Sequence, residues 1–194
     1  MSACNNAKHC VGSNKTSPHS LKTYTMTFEI IRYSILIVLL TLSTRILCQT
    51  FTLPNETVIF SFDTYNGKRV TLNKDSANKY IIYRFGTRDK VEFEFPGKSI
   101  SSWKSFTYSF YLRGGGTQNE GMDLNYIAFT NKDFKYVIYD TYFAVGNKQE
   151  IGIKVINLKT EKTTNIKGDR KTRKGKLVDF RDNNLLEIGD EMFD

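Results

Sequence analysis

LNYIAFTNKDFKYVIYDTYF (124–143) holds two strand-like stretches on either side of a short turn. LNYIAF (124–129) is a strand-like run whose one polar residue is Asn125, Asn131-Lys132-Asp133 supplies turn residues, and FKYVIYDTYF (134–143) resumes the strand pattern. Its Phe134, Tyr136 and Ile138 fall on one face, its Val137, Tyr139 and Phe143 on the other. Such a strand is either central in a core that covers both faces or displays tyrosine on an outer binding face, and the first is expected.

The same pattern continues outward. TVIFSF (57–62) is followed by Asn66-Gly67, a strong hairpin signal, and then RVTL (69–72). YIIYRF (80–85) reaches VEFEF (91–95) through Gly86-Thr87-Arg88-Asp89. SFTYSFYL (105–112) ends in a glycine triplet, and IGIKVINL (151–158) follows Gly146-Asn147. The stretch from Leu177 to Phe193 is expected to hold a strand, LVDF, and a short helical turn. Eight or nine strands without a long helical period predict an all-β fold, an antiparallel sandwich or barrel. No repeat or linker divides it, so residues 49–194 are expected to form a single β domain.

Upstream, YSILIVLLTLST (33–44) carries no charge. It is short for a membrane span, which wants about 20 apolar residues, and suits a secretory segment of roughly 7–15. Residues 26–48 therefore read as a signal peptide or signal anchor, and residues 1–25 as a polar extension, either an over-long reading of the start or a cytoplasmic tail. Left uncleaved, residues 30–47 would contact the membrane. Lys8, Lys15, Lys22 and Arg32 precede the apolar run, which places the chain beyond it outside the cytoplasm: secreted, periplasmic or on the cell surface, or a single-pass membrane protein facing out.

Cys4, Cys10, Cys48, His9 and His19 all lie in this leader, so no Cys or His comes after Gln49. That excludes a Ser-His-Asp triad, a Cys-His nucleophile, a His/Cys zinc site and a disulfide from residues 49–194. No cofactor, metal or catalytic residue is expected. Glu92 and Glu94 share a strand face about 7 Å apart, a permissive spacing for glycosidase carboxylates, but a solvated face explains them as well. Asp123, Asp140 and Asp179 are flanked by apolar residues without a partner visible in sequence. Ser101 to Lys104 matches Ser-x-x-Lys but lacks the companion motifs of that chemistry.

Binding candidates remain. Trp103 is either a core anchor at a strand start or a sugar-stacking platform. Arg113, Asn119 and Asp123 flank a glycine-rich connection, Gly114-Gly115-Gly116 and beyond, that does not form a phosphate loop. Tyr139 is the aromatic candidate on an outer face. Residues 49–194 carry 23 basic and 19 acidic groups, and KGDRKTRKGK (167–176) alone contributes +5, leaving −1 for the rest. This stretch is expected to be a hairpin tip with Arg170, Lys171, Arg173 and Lys174 as candidates for an anionic partner; nucleic acid is not expected there.

YIIYRFGTRDKVEFEFP (80–96), SWKSFTYSFYLRGGG (102–116), LNYIAFTN (124–131) and FKYVIYD (134–140) together resemble the small secreted β-rich proteins of bacteria, through a YRFG turn, an acid/aromatic strand, a Gly-rich loop and a YxIY strand. The resemblance implies bacterial export and a compact β domain, and brings no catalytic or binding role with it. The functional expectation is a non-enzymatic exported β domain binding an envelope or extracellular partner, whether glycan, anionic surface or protein. The alternatives are a carboxylate-based polysaccharide hydrolase and a membrane-anchored structural protein.

Overall fold

In a computed structural model, residues 50–193 are described; the expected polar extension and signal peptide or anchor lie outside them. The alternating stretches form two sheets with no closed barrel, an architecture consistent with an all-β sandwich. The first sheet contains β1 (Glu56–Asp63), β2 (Lys68–Asp75), β3 (Ile81–Thr87) and β4 (Lys90–Phe95). The second contains β5 (Thr107–Arg113), β6 (Met122–Asn131), β7 (Phe134–Phe143), β8 (Lys148–Asn157) and β9 (Thr163–Lys167). Two short strands close the edges: β10 (Lys174–Gly175) joins the first sheet beside β1, and β11 (Glu187–Gly189) joins the second beside β5. Among the described residues no helix is long and apolar enough to cross a membrane.

Four expectations are corrected. Eleven strands form among the described residues where eight or nine are expected; β9, β10 and β11 give no alternating signal because their segments are short or polar, and in β9 only Ile166 is even half-buried. LVDF is a 3-10 turn, Leu177–Phe180, that buries Leu177 and Phe180. Since β11 runs parallel to β5, the sheets are not wholly antiparallel. The YRFG segment lies within β3, where Gly86 marks a bulge, and the turn comes at Arg88-Asp89.

Both sheets feed one core, with Phe60, Val70, Ile81 and Tyr83 from the first and Tyr108, Ile127, Phe129 and Ile138 from the second. At its centre the Phe129 ring lies 4.8 Å from Phe95, 4.9 Å from Tyr136, 5.0 Å from Tyr83 and 5.2 Å from Phe106. Phe93 and Phe95 of VEFEF turn inward onto this group, as the alternation predicts, while Glu92 and Glu94 face out. A second apolar cluster, Leu124, Tyr126, Ala128, Val137, Tyr139 and Phe193, covers the other face of the second sheet. β7 therefore sits between β6 and β8 with both faces covered.

On the far side of the first sheet, Arg84 is 1% exposed. Its Nη1 and Nη2 donate to Glu56 Oε2 (2.5 Å) and Oε1 (2.7 Å), its Nε to Glu94 Oε2 (2.7 Å), and Nη1 also to the Phe51 carbonyl (2.9 Å). Burial opposes ionisation of Glu56, but the Arg84 guanidinium, the Leu53 amide and the Tyr80 hydroxyl outweigh it and hold the carboxyl below its ordinary 4.5. A buried pair is costly to break from one side because the remaining charge is left without its counterion.

This packing makes two outcomes measurable. Phe129→Ala should lose about 3–5 kcal/mol in urea unfolding, the usual range for an aromatic removed from a core. Glu56→Gln should lose an amount toward the low end of about 3–5 kcal/mol at neutral pH, since Glu94 still meets Arg84. Because the folded carboxyl titrates below its unfolded value, its contribution is present above pH 4.5 and lost below it. The gap between wild type and variant should therefore shrink on acidification.

Candidate functional site

Along the inward face of β6 the residues run Asp123, Asn125, Ile127, Phe129, so one end of the shared interior is polar and the other aromatic. Register places Asn125 opposite Asp140 and Asp123 opposite Tyr142, which brings both carboxylates to the polar end. The chain that crosses this end is Gly168 to Arg181. It leaves β9, passes from the second sheet to the first, and pairs as β10 with β1. Lys167–Lys176 is thus a strap between sheets rather than the expected hairpin tip. Gly168 is where it crosses: its amide donates to the Ile151 carbonyl (2.8 Å), and a Cβ there would strike the Phe62 ring. Asp169 N then donates to Asp63 O (2.7 Å) on the other sheet.

Beneath the strap is a cleft of about 200 Å³ lined by Asp123, Asn125, Asp140, Gln149, Arg173 and Lys176, among others. Arg173 Nη1 donates to Asp140 Oδ1 (3.0 Å), and Arg181 Nη2 to Asp123 Oδ1 (2.7 Å) and Asn125 Oδ1 (3.0 Å). The Tyr108 hydroxyl donates to the same Asn125 oxygen (2.5 Å), whose amide donates to Asp123 Oδ1 (2.9 Å). The Arg181 guanidinium lies 4.4 Å from the Phe110 ring centre. Burial pushes the Asp140 carboxyl above its ordinary 3.8, and nearby Asp123 adds to that, while the Arg173 charge and hydrogen bond oppose it. Burial likewise raises Tyr108, against the pull of Arg181.

Of the residues singled out in sequence, Asp123, Asp140 and Arg173 meet in this cleft. Arg170 reaches its rim, donating to Gln149 Oε1 (2.6 Å), and Lys171 and Lys174 are exposed on the strap. The others lie elsewhere. Trp103 packs against the core from a 3-10 turn, Ile100–Ser105, and its indole N–H donates to the Asn78 carbonyl (3.0 Å). Arg113 donates to the Glu120 carbonyl and Asn119 to the Gly114 carbonyl, so both tie down the glycine-rich loop from within. Tyr139 is buried on the outer cluster, lying over Gly152 with its hydroxyl donating to Asn165 Oδ1 (2.9 Å). Glu92 pairs with Lys68 and Glu94 with Arg84, so the two carboxylates serve separate ion pairs.

Asn125, Gln149, Lys176 and Arg181 join the cleft without being singled out by sequence. Asn125 has a signal, a polar residue at an inward position of LNYIAF; Arg181 has none, because only the fold brings it 58 residues back to Asp123. Among the described residues no three Asp, Glu, His or Cys side chains cluster as metal ligands. Comparison with protein-family models, with curated proteins and with solved structures found no match.

Asp140 has a testable signature. A carboxyl raised by folding binds its proton more tightly in the folded state, so stability falls as pH rises from its unfolded value, 3.8, through its folded one. Over that acid range wild type should lose stability with rising pH relative to Asp140→Asn, measured by urea unfolding at each pH.

Proposed function

We propose that the β domain is a non-enzymatic exported binding module, and that the strap and cleft engage an acidic polysaccharide of the envelope or extracellular surroundings. One observation carries the reading. The two carboxylates of the cleft are already neutralised by Arg173 and Arg181, whereas Arg170, Lys171, Lys174 and Lys176 are exposed and form no ion pair among the described residues. The spare charge at this end is therefore positive and concentrated on one strap. Exposed cations in that arrangement attract a polyanion over roughly a Debye length, about 8–10 Å at moderate salt, and the attraction weakens as salt rises.

A second reading has its own support. Burial raises the Asp140 carboxyl, and a carboxyl held toward its protonated form with a second one nearby, here Asp123, is what acid hydrolysis of a glycosidic bond uses. The binding reading is preferred because each acid already holds an arginine.

Immobilised polygalacturonate and neutral dextran separate the possibilities. The binding module should retain polygalacturonate at low salt, release it at high salt and ignore dextran. Combined Lys171→Glu, Lys174→Glu and Lys176→Glu should weaken retention about tenfold or more, ~1.4 kcal/mol. Equal retention on dextran, or no change in the triple variant, overturns the reading. Release of reducing sugar that disappears in Asp140→Asn and Asp123→Asn would establish the hydrolase instead.

A further inference from the structure

The opposite face of the second sheet carries a separate feature. Leu124, Tyr126 and Ala128 of β6 and Val137 and Tyr139 of β7 form an apolar strip. The chain after β11 crosses this strip without adding a strand to the sheet. Three anchors hold it. The Glu191 carboxylate pairs with Lys135 Nζ; the Phe193 ring meets Tyr126 edge-on at 5.5 Å, with Lys135 Nζ 5.0 Å from its centre; and the Phe193 carbonyl accepts from Lys154 Nζ. Met192, between the anchors, points to solvent at 38% exposure. Next to Lys154 the face opens into a cavity of about 400 Å³ lined by Tyr139, Phe143, Lys148, Glu150 and Asn165 among others.

This face has the parts of a peptide reader: a cation for an acidic side chain, a tyrosine for an aromatic two positions later, and a second cation for that aromatic residue's carbonyl. We infer that it is a docking groove for an extended Glu-x-aromatic segment of a partner protein, held shut in cis by the chain's own Glu191-Met192-Phe193. The occupant in place shows the chemistry the groove accepts: its Glu191 carboxylate complements Lys135, and its Phe193 carbonyl meets Lys154. A segment fixed by one buried ring, one ion pair and one lysine–carbonyl hydrogen bond, outside the sheet's hydrogen bonding, is the kind of element that opens locally without global unfolding. The groove lies on the other face from the strap and cleft, so either assignment can fail alone.

The test uses full-length protein and a fluorescein-labelled peptide, GDEMFD, tracked by anisotropy. The chain carrying Glu191→Ala and Phe193→Ala, with its groove freed, should bind the peptide at least about tenfold more tightly than wild type, as expected if the native segment leaves the groove open in about one molecule in ten or fewer. Adding Lys135→Glu to that variant should cut binding about tenfold, and the charge-swapped peptide GDKMFD should restore it. Equal binding to wild type and the freed variant overturns the inference. So does no binding by a freed variant whose circular dichroism matches wild type, or binding indifferent to Lys135→Glu. A wild-type dimer that Phe193→Ala abolishes would also overturn it, by assigning the segment to a second copy.

Discussion

Everything else in the fold leans on the contact of Phe129 with the rings of the facing sheet. No cysteine comes after Gln49, so no covalent tie can hold the sheets together over residues 49–194. The stacked rings of Phe129 and Tyr136, 5° from parallel, meet Phe95 and Tyr83 from the other sheet, and Phe106 closes the group edge-on. Aromatic pairs of this kind add about 0.5–1.5 kcal/mol each beyond the area they bury. Concentrating them at one end lets the other end of the same interior be polar. Asp123, Asn125 and Asp140 occupy positions that would otherwise need apolar side chains, and their arginine partners arrive from the strap and the turn after it.

The strap also explains why the basic residues sit where they do. It is fixed to both sheets, by the Gly168 amide to β8, and to β1 by the Asp169 amide and by the Thr172 hydroxyl, which accepts from the Asp63 amide. Alternate side chains then divide the work. Arg173 turns in to Asp140, while Lys174 and Lys176 remain exposed. A flexible hairpin tip of the same composition would spread its charge over many conformations; a strap held at both ends presents it in one.

The legible part of the sequence is the part that period-2 alternation encodes. LNYIAF and FKYVIYDTYF pair as neighbouring antiparallel strands, with the turn narrowed to Lys132-Asp133 because Asn131 pairs with Phe134, and VEFEF separates its phenylalanines from its glutamates as expected. Alternation is silent about partners far along the chain. Arg84 looks like the polar member of YIIYRF, yet it is buried because residues 51–55 fold back over it and Glu56, 28 positions earlier, meets it. The edge strand β9 (TTNIK) gives no signal because a strand exposed on both faces carries no apolar period. Lys167–Lys176 reads as a tip because charge alone does not distinguish an exposed end from an exposed crossing; Gly168, forced by the Phe62 ring, is the residue that marks the crossing.

The sheet formed by β5 to β9 thus has two faces with opposite logic. On the inner face Asp140 is largely enclosed and must find a cation at once, since a buried carboxylate without one would be driven to its neutral form; the half-buried Asp123 beside it holds one too. That requirement uses up Arg173 and Arg181 and leaves the outward lysines as the unsatisfied charge. On the outer face, the cations Lys135 and Lys154 stand at the rim of an apolar strip, where water competes and an ion pair contributes about 0–1 kcal/mol. Contacts that weak suit an exchangeable peptide, while the enclosed pairs suit a fixed scaffold. The difference in burial, with one alphabet of Lys, Arg, Asp and Glu, is what separates the part of the sheet that holds its shape from the part that can trade partners.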